Sequence, residues 1–122
     1  MKFLCLISAE KMMEDMPTAD AEKHFEEYLQ FTNWLKTKGH FVGANRLKPA
    51  STATTVRVRD GKTIVTDGPF AETKEQIGGY YLIDAKNLDE AIKIAARIPA
   101  ARYGSVEVRP IADDAQTHAL GF

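Results

Sequence analysis

Apolar positions recur along this chain at two spacings, one of about 2 and one of about 3.6 residues, and the switches between them mark its elements. Lys2 to Ser8 is an almost continuous apolar run, and its short length predicts a strand buried on both faces. Ala9 to Met16 is polar but carries Met12, Met13 and Met16; it reads first as a plain connection, and otherwise as a loop able to cover a cleft. After Pro17, either Thr18 or Asp20 can cap a helix running to about Lys38, with Gly39 closing it. Its inner stripe is predicted as Ala21, Phe25, Tyr28, Leu29, Thr32 and Leu35. Phe31 and Trp34 fall off that stripe, with His24 on the flank of Phe31. The apolar face is thus wider than one sheet needs, and a second subunit is the simplest further contact.

His40 to Leu47 reads as a strand ending at Lys48-Pro49. Thr54 to Arg59 alternates with period two, Asp60-Gly61 is a hairpin turn requiring positive φ, and Lys62 to Thr66 returns as its partner. Tyr80 to Ile83 lies inside a further strand, Gly78 to Ala85. Asn87 and Glu90 have the spacing of a capping box. The helix they open carries Leu88, Ala91, Ile92, Ala95 and Ile98 on one face and stops at Pro99. Ser105 to Pro110 is a last strand, and the polar tail from Asp113 to Phe122 is expected to be loose or to dock on a partner. This order predicts an α+β fold of the ferredoxin-like βαββαβ type with an extra β-hairpin, helices on one face of an antiparallel sheet. The other face then needs a cover, which a second sheet in a dimer would supply.

The bulk properties narrow the function classes. The chain has 122 residues, enough for one domain spanning 1–122 and one core. A net charge of -1, with no basic patch beyond Arg57 and Arg59, gives no electrostatic basis for nucleic-acid binding. No apolar stretch reaches the length of a membrane span, and the first apolar run is too short for a signal peptide and is followed by Glu10, Glu14 and Asp15. The lone Cys5 sits in that run, where an inert buried thiol is expected, and a cytoplasmic setting follows as the default. Histidines and the cysteine are scattered without ligand spacing, so neither a metal nor another cofactor is expected.

The densest unusual stretch is Asp67-Gly68-Pro69-Phe70-Ala71-Glu72-Thr73-Lys74-Glu75. Asp67-Gly68-Pro69 is a rigid turn, since Pro69 fixes its own φ and extends Gly68. Asp67, Glu72 and Glu75 bring three carboxylates around Lys74 within a few residues. Partly buried, such a cluster has shifted pKa values and can act in acid–base chemistry. Solvated, it is a turn aspartate and an ordinary charged surface.

Thr52 to Arg57, the run Asp67 to Glu75, Gly78-Gly79-Tyr80-Tyr81 and Gly104 to Pro110 occur in that order. In them the chain resembles the DGPF subgroup of the YCII-related proteins over nearly its whole length. The resemblance implies a homodimer forming an α/β barrel and a mostly bacterial cytoplasmic setting. In some members it also implies a genetic link to sigma factors of the extracytoplasmic-function type. The wider group is proposed to hold a His-Asp dyad in a cleft. His24 matches its histidine, while the aspartate, which precedes a proline after the second helix, corresponds here to Ile98 before Pro99. A carboxylate partner for His24 must then come from elsewhere, with Asp67 the candidate.

Three functions follow as expectations. One is an enzyme acting on a small molecule in a cleft between the His24 helix and the Asp67 turn. Asp67 and His24 would be catalytic there, Arg57 or Lys74 an anion clamp, and Glu72 and Glu75 ligand-binding. The second is a metabolite-binding or regulatory module, with a sigma-factor link and with Phe31 and Trp34 as an exposed partner surface. In the third, the Asp67 segment only shapes the dimer.

Overall fold

The computed structural model describes residues 1–71 and 73–122. Among these residues six strands and three α-helices follow the order β1 (Lys2–Ala9), α1 (Thr18–Thr37), β2 (Phe41–Arg46), β3 (Thr54–Arg59), β4 (Lys62–Asp67), β5 (Gln76–Asp84), α2 (Leu88–Ala95), β6 (Ser105–Pro110) and α3 (Ala115–Ala119). One antiparallel sheet has the order β2-β5-β1-β6, and β3 pairs with β4 in a separate two-stranded sheet. The four-stranded order is that of a ferredoxin-like domain, with the β3–β4 hairpin inserted between its second and third strands. Among the described residues no closed barrel forms within the chain.

β1 is central because both neighbours pair along it, Cys5 opposite Tyr81 of β5 and Val108 of β6. Directly opposed residues share a face, so Phe3, Cys5, Ile7, Tyr81 and Ile83 form one side of the sheet, and all are buried under the helices. The alternate positions Leu4, Leu6, Tyr80 and Leu82 share the other side and are only half-buried. β1 is therefore covered on one face of the single chain, against the expectation of two. Burial raises the Cys5 thiol pKa to about 11, so this cysteine is the inert thiol its surroundings suggested.

The inner face of α1 differs from the predicted stripe. Phe31 and Leu35 are its buried residues, whereas Phe25 and Leu29 are exposed. The sets 21/25/28/32/35 and 24/28/31/35 both have helical spacing and differ by a small rotation about a shared edge. Tyr81 decides between them. Its ring meets Phe31 edge-on at 5.1 Å and stacks on Tyr28 at 6.4 Å, and its hydroxyl lies 2.7 Å from that of Thr32. Phe31 and Trp34 are consequently not an exposed pair. Phe31 is core, and Trp34 is half-buried with the Arg97 guanidinium 3.8 Å over its ring. The expected Thr18 or Asp20 cap is also absent, because Pro17 occupies the capping position and no side chain bonds the first turn.

Other local signals are met. Asp60 and Gly61 both have positive φ, 51° and 71°, and make the hairpin turn. Asn87 accepts a hydrogen bond from the Glu90 amide at 2.9 Å, while Glu90 reaches back to the Lys86 amide at 3.0 Å, one residue beyond a strict capping box. α2 ends at Ala95, short of the expected stop at Pro99, and turns Ala91, Ile94 and Ala95 inward, leaving Leu88 and Ile92 half exposed; Ile98, beyond the helix, is buried too. The tail, expected to be loose, instead folds in part into the short α3, capped by Asp114 through the Thr117 amide at 2.8 Å.

Gly104 lies against β1, where an added Cβ would stand 2.2 Å from the Ser8 carbonyl oxygen. Gly104→Ala is expected to destabilise the fold by about 1–3 kcal/mol, lowering the urea midpoint at unchanged slope. Gly43→Ala, with open space around it, is the control and should stay within about 0.5 kcal/mol. Equal midpoints for the two variants would contradict this packing.

Candidate functional site

A cavity of about 440 Å³ opens between α1 and the sheet at the end where β1 leaves and β5 enters. Its floor is Ile7, Gly79 and Tyr81, its helical wall is His24, Phe25 and Tyr28, and its cover comes from Met12 and Met13. The methionine connection thus does border a cleft. Gly79 is needed on the floor, because a Cβ there would stand 2.8 Å from the Asn45 carbonyl oxygen of the neighbouring strand.

The polar centre of this apolar chamber is a His–Tyr pair. Rotation of α1 by Tyr81 points His24 at the 3₁₀ turn Pro99–Arg102, and Tyr103 at the end of that turn places its hydroxyl 2.7 Å from His24 Nε2. Tyr28 packs edge-on to the imidazole at 4.9 Å. Burial lowers the His24 pKa below its usual 6.5, Glu27 opposes that shift and Arg102 adds to it. The neutral imidazole is therefore favoured, and in its Nδ1–H tautomer its Nε2 accepts a hydrogen bond from the Tyr103 hydroxyl. Burial also raises the pKa values of Tyr28, Tyr81 and Tyr103. Glu27 is held in its charged form mainly by a hydrogen bond from Arg102 on the same turn.

A second, smaller cavity of about 310 Å³ is also lined by His24, together with charged groups including Lys11, Asp20, Lys23 and Glu27. Among the described residues His24 alone lines both. The residue thus borders an apolar cavity and a charged one.

The other residues singled out from the sequence lie elsewhere. Asp67 is exposed at the end of β4, opposite Thr54, and lines neither cavity. Arg57 is on the same hairpin with its guanidinium 5.6 Å over the Phe70 ring, Lys74 is exposed, and Glu75 accepts a hydrogen bond from Ser105 at 2.7 Å. Gln76, next to Glu75, does line the large cavity. Glu72 lies outside the described residues. Among the described residues neither cavity lies between the His24 helix and the Asp67 turn, where a cleft was expected. Ile98, before Pro99, is 1% exposed and part of the core. Tyr103, five residues on, supplies the polar partner of His24. Sequence reasoning missed Tyr103, and the available signal was a tyrosine shortly after Pro99. Among the described residues no group of histidine, cysteine and carboxylate side chains could hold a metal ion.

This arrangement can take or give a proton within an apolar chamber. It sits in a chain whose residues 1–113 match the YCII-related domain, and the protein belongs to that family. A similar protein is an uncharacterized one from Rhizobium meliloti (strain 1021), 55% identical over 69 residues. That match covers 55% of this chain and 56% of the relative, so the chain spans little more than half the length of the curated protein it matches. Among the described residues no helix is long and apolar enough to cross a membrane.

Because the native state lowers the His24 pKa, the unfolded chain binds that proton more readily. This group's share of stability is therefore complete above pH 6.5 and falls away as pH drops through the lowered native value. An NMR titration of the imidazole should give a midpoint below 6.5, and Tyr103→Phe, which removes a donor to the neutral ring, should raise it. A midpoint at or above 6.5 in the wild type would show that burial does not control this histidine.

Proposed function

We propose that the protein is a small-molecule enzyme of the acid–base type, working as a homodimer, with His24 and Tyr103 as its proton-transfer pair. The observation that carries this reading is that His24, paired with the Tyr103 hydroxyl, lines both an apolar cavity and a charged one. A ligand in the larger cavity meets the Tyr103 hydroxyl or His24 Nε2, and the proton exchanged there passes to water on the charged side. The chamber volume of about 440 Å³ suits a small organic molecule. The pair transfers protons, so the reactions within its reach are enolisation, isomerisation and elimination next to a carbonyl.

The dimer reading rests on two uncovered apolar surfaces. Leu4, Leu6, Tyr80 and Leu82 form the open face of the sheet, and a second sheet is the cover of matching shape. On the hairpin, Val56, Val58 and Val65 share one face and are about 60% exposed. An isolated two-stranded hairpin is marginal in water, so this arm also belongs to the contact between copies. The subgroup segment with Asp67, Arg57, Lys74 and Glu75 then acts in assembly, or reaches a cavity only through the second copy. A regulatory module that binds a metabolite without turnover, with or without a sigma-factor partner, is the alternative outcome of the test below.

Deuterium uptake from heavy water into small cyclic ketones, followed by proton NMR, tests the chemistry. His24→Gln should slow uptake by about 10²–10⁴-fold and Tyr103→Phe by less, with the fold retained. Uptake unchanged in His24→Gln would sink the assignment, whereas ligand binding without uptake would favour the regulatory module. Light scattering tests the assembly: Leu6→Lys should convert dimer to monomer, and a wild-type monomer at micromolar concentration would refute the dimer. Asp67→Asn with Glu75→Gln should weaken the dimer if the segment serves assembly. Loss of uptake with the dimer intact would return those residues to the active site.

A further inference from the structure

The cover of the large cavity meets its rim through a long ion pair. The connection from β1 to α1 makes a single 3₁₀ turn over Met13–Asp15, which sets Met12, Met13 and Glu14 along the cavity wall. Met12 lies flat across β5 at Gly78, with its Sδ and Cε 2.5 Å from where a Cβ on that residue would stand. Two residues further on, the Glu14 carboxylate faces the Arg46 guanidinium at 3.8 Å. That is the one ion pair Arg46 makes among the described residues, and its side chain is 66% exposed. So long and solvated a pair contributes little to stability and is readily exchanged. Lys48 lines the same rim two residues beyond Arg46, so cations outnumber carboxylates at this mouth.

We infer that the cavity takes a small amphipathic carboxylate whose anionic end displaces Glu14 from Arg46. Its apolar body lies on Phe25, Tyr28 and Leu47, and its far end faces the His24–Tyr103 pair. This rests on reading the cavity as the ligand site and adds the chemical class of the ligand. Arginine presents two parallel N–H donors that match a carboxylate, a better arrangement than the one Glu14 makes at 3.8 Å. A carboxylate is favoured over a phosphate because a carboxylate is what Arg46 already faces, and Glu14 beside it repels a dianion. Losing Arg46 frees the Glu14 end of the cover, so ligand charge and movement of Met12 off Gly78 are coupled.

Calorimetry at low ionic strength with phenylacetate, its neutral amide phenylacetamide, and phenyl phosphate tests this. Phenylacetate should bind at least about tenfold more tightly than phenylacetamide. Arg46→Gln should erase that preference without changing phenylacetamide binding, and Glu14→Gln, which removes the internal competitor, should strengthen phenylacetate by about threefold. Both positions are exposed at the rim, and unchanged melting temperatures will confirm that the variants fold. Equal binding of amide and acid, or a preference that survives Arg46→Gln, overturns the carboxylate assignment while leaving the cavity reading in place. Phenyl phosphate binding more tightly than phenylacetate overturns it in favour of a phosphate. Failure of all three to bind overturns it as well. The cavity reading itself is lost only if the ketones above also neither bind nor exchange.

Discussion

The hydroxyls of Tyr81 and Thr32 stand 2.7 Å apart beneath α1, and this contact, with Tyr28 and Phe31 against the same ring, fixes the rotation of the helix on the sheet. A buried tyrosine hydroxyl needs a partner, and Thr32 is the one within reach. Once Tyr81 is satisfied there, Phe31 and Leu35 must turn inward and Phe25 must turn out. His24, a turn before Tyr28, is carried to the edge of the core, where it borders both cavities. A helix rotated to the alternative stripe would bury Phe25 and Leu29, and His24 would lose Tyr103.

Around His24 the surroundings act in one balance. Desolvation by the apolar chamber disfavours the imidazolium, and Glu27 would oppose this more strongly were its charge not already engaged by Arg102. The imidazole is thereby left neutral and basic, facing a phenol. An aspartate beside the ring would stabilise its charged form. Here the partner is a tyrosine whose own pKa burial raises. The chemistry open to the two arrangements differs accordingly. A His–Asp pair favours the protonated histidine, and a His–Tyr pair favours the neutral one.

The surfaces left uncovered have a common cause. A four-stranded sheet with helices on one side cannot bury its second face alone, and an inserted hairpin of six-residue strands has no third strand to lean on. Half-buried leucines on the sheet and exposed valines on the hairpin are the same problem at two places. One second copy of the chain could answer both.

Much of the fold was legible because it depends on near neighbours. The period-two run in β3, the Asp60-Gly61 turn, the Asn87 cap and Pro110 at the end of β6 act within a few residues of themselves. Element order and fold class follow from these. The run from Asp67 to Glu75 looked chemical for a local reason too, since it gathers three carboxylates within a short stretch of sequence. What the chain alone could not say is which side of each element faces which neighbour. The α1 stripe was ambiguous by one small rotation, and Tyr81, 49 residues from Thr32, resolved it. His24 and Tyr103 are 79 residues apart, and their meeting depends on that rotation and on the turn after α2. The sequence by itself therefore determined the elements, their order and the family. Tertiary structure decided where the polar groups converge, because burial and partner choice depend on packing between segments that no local pattern encodes.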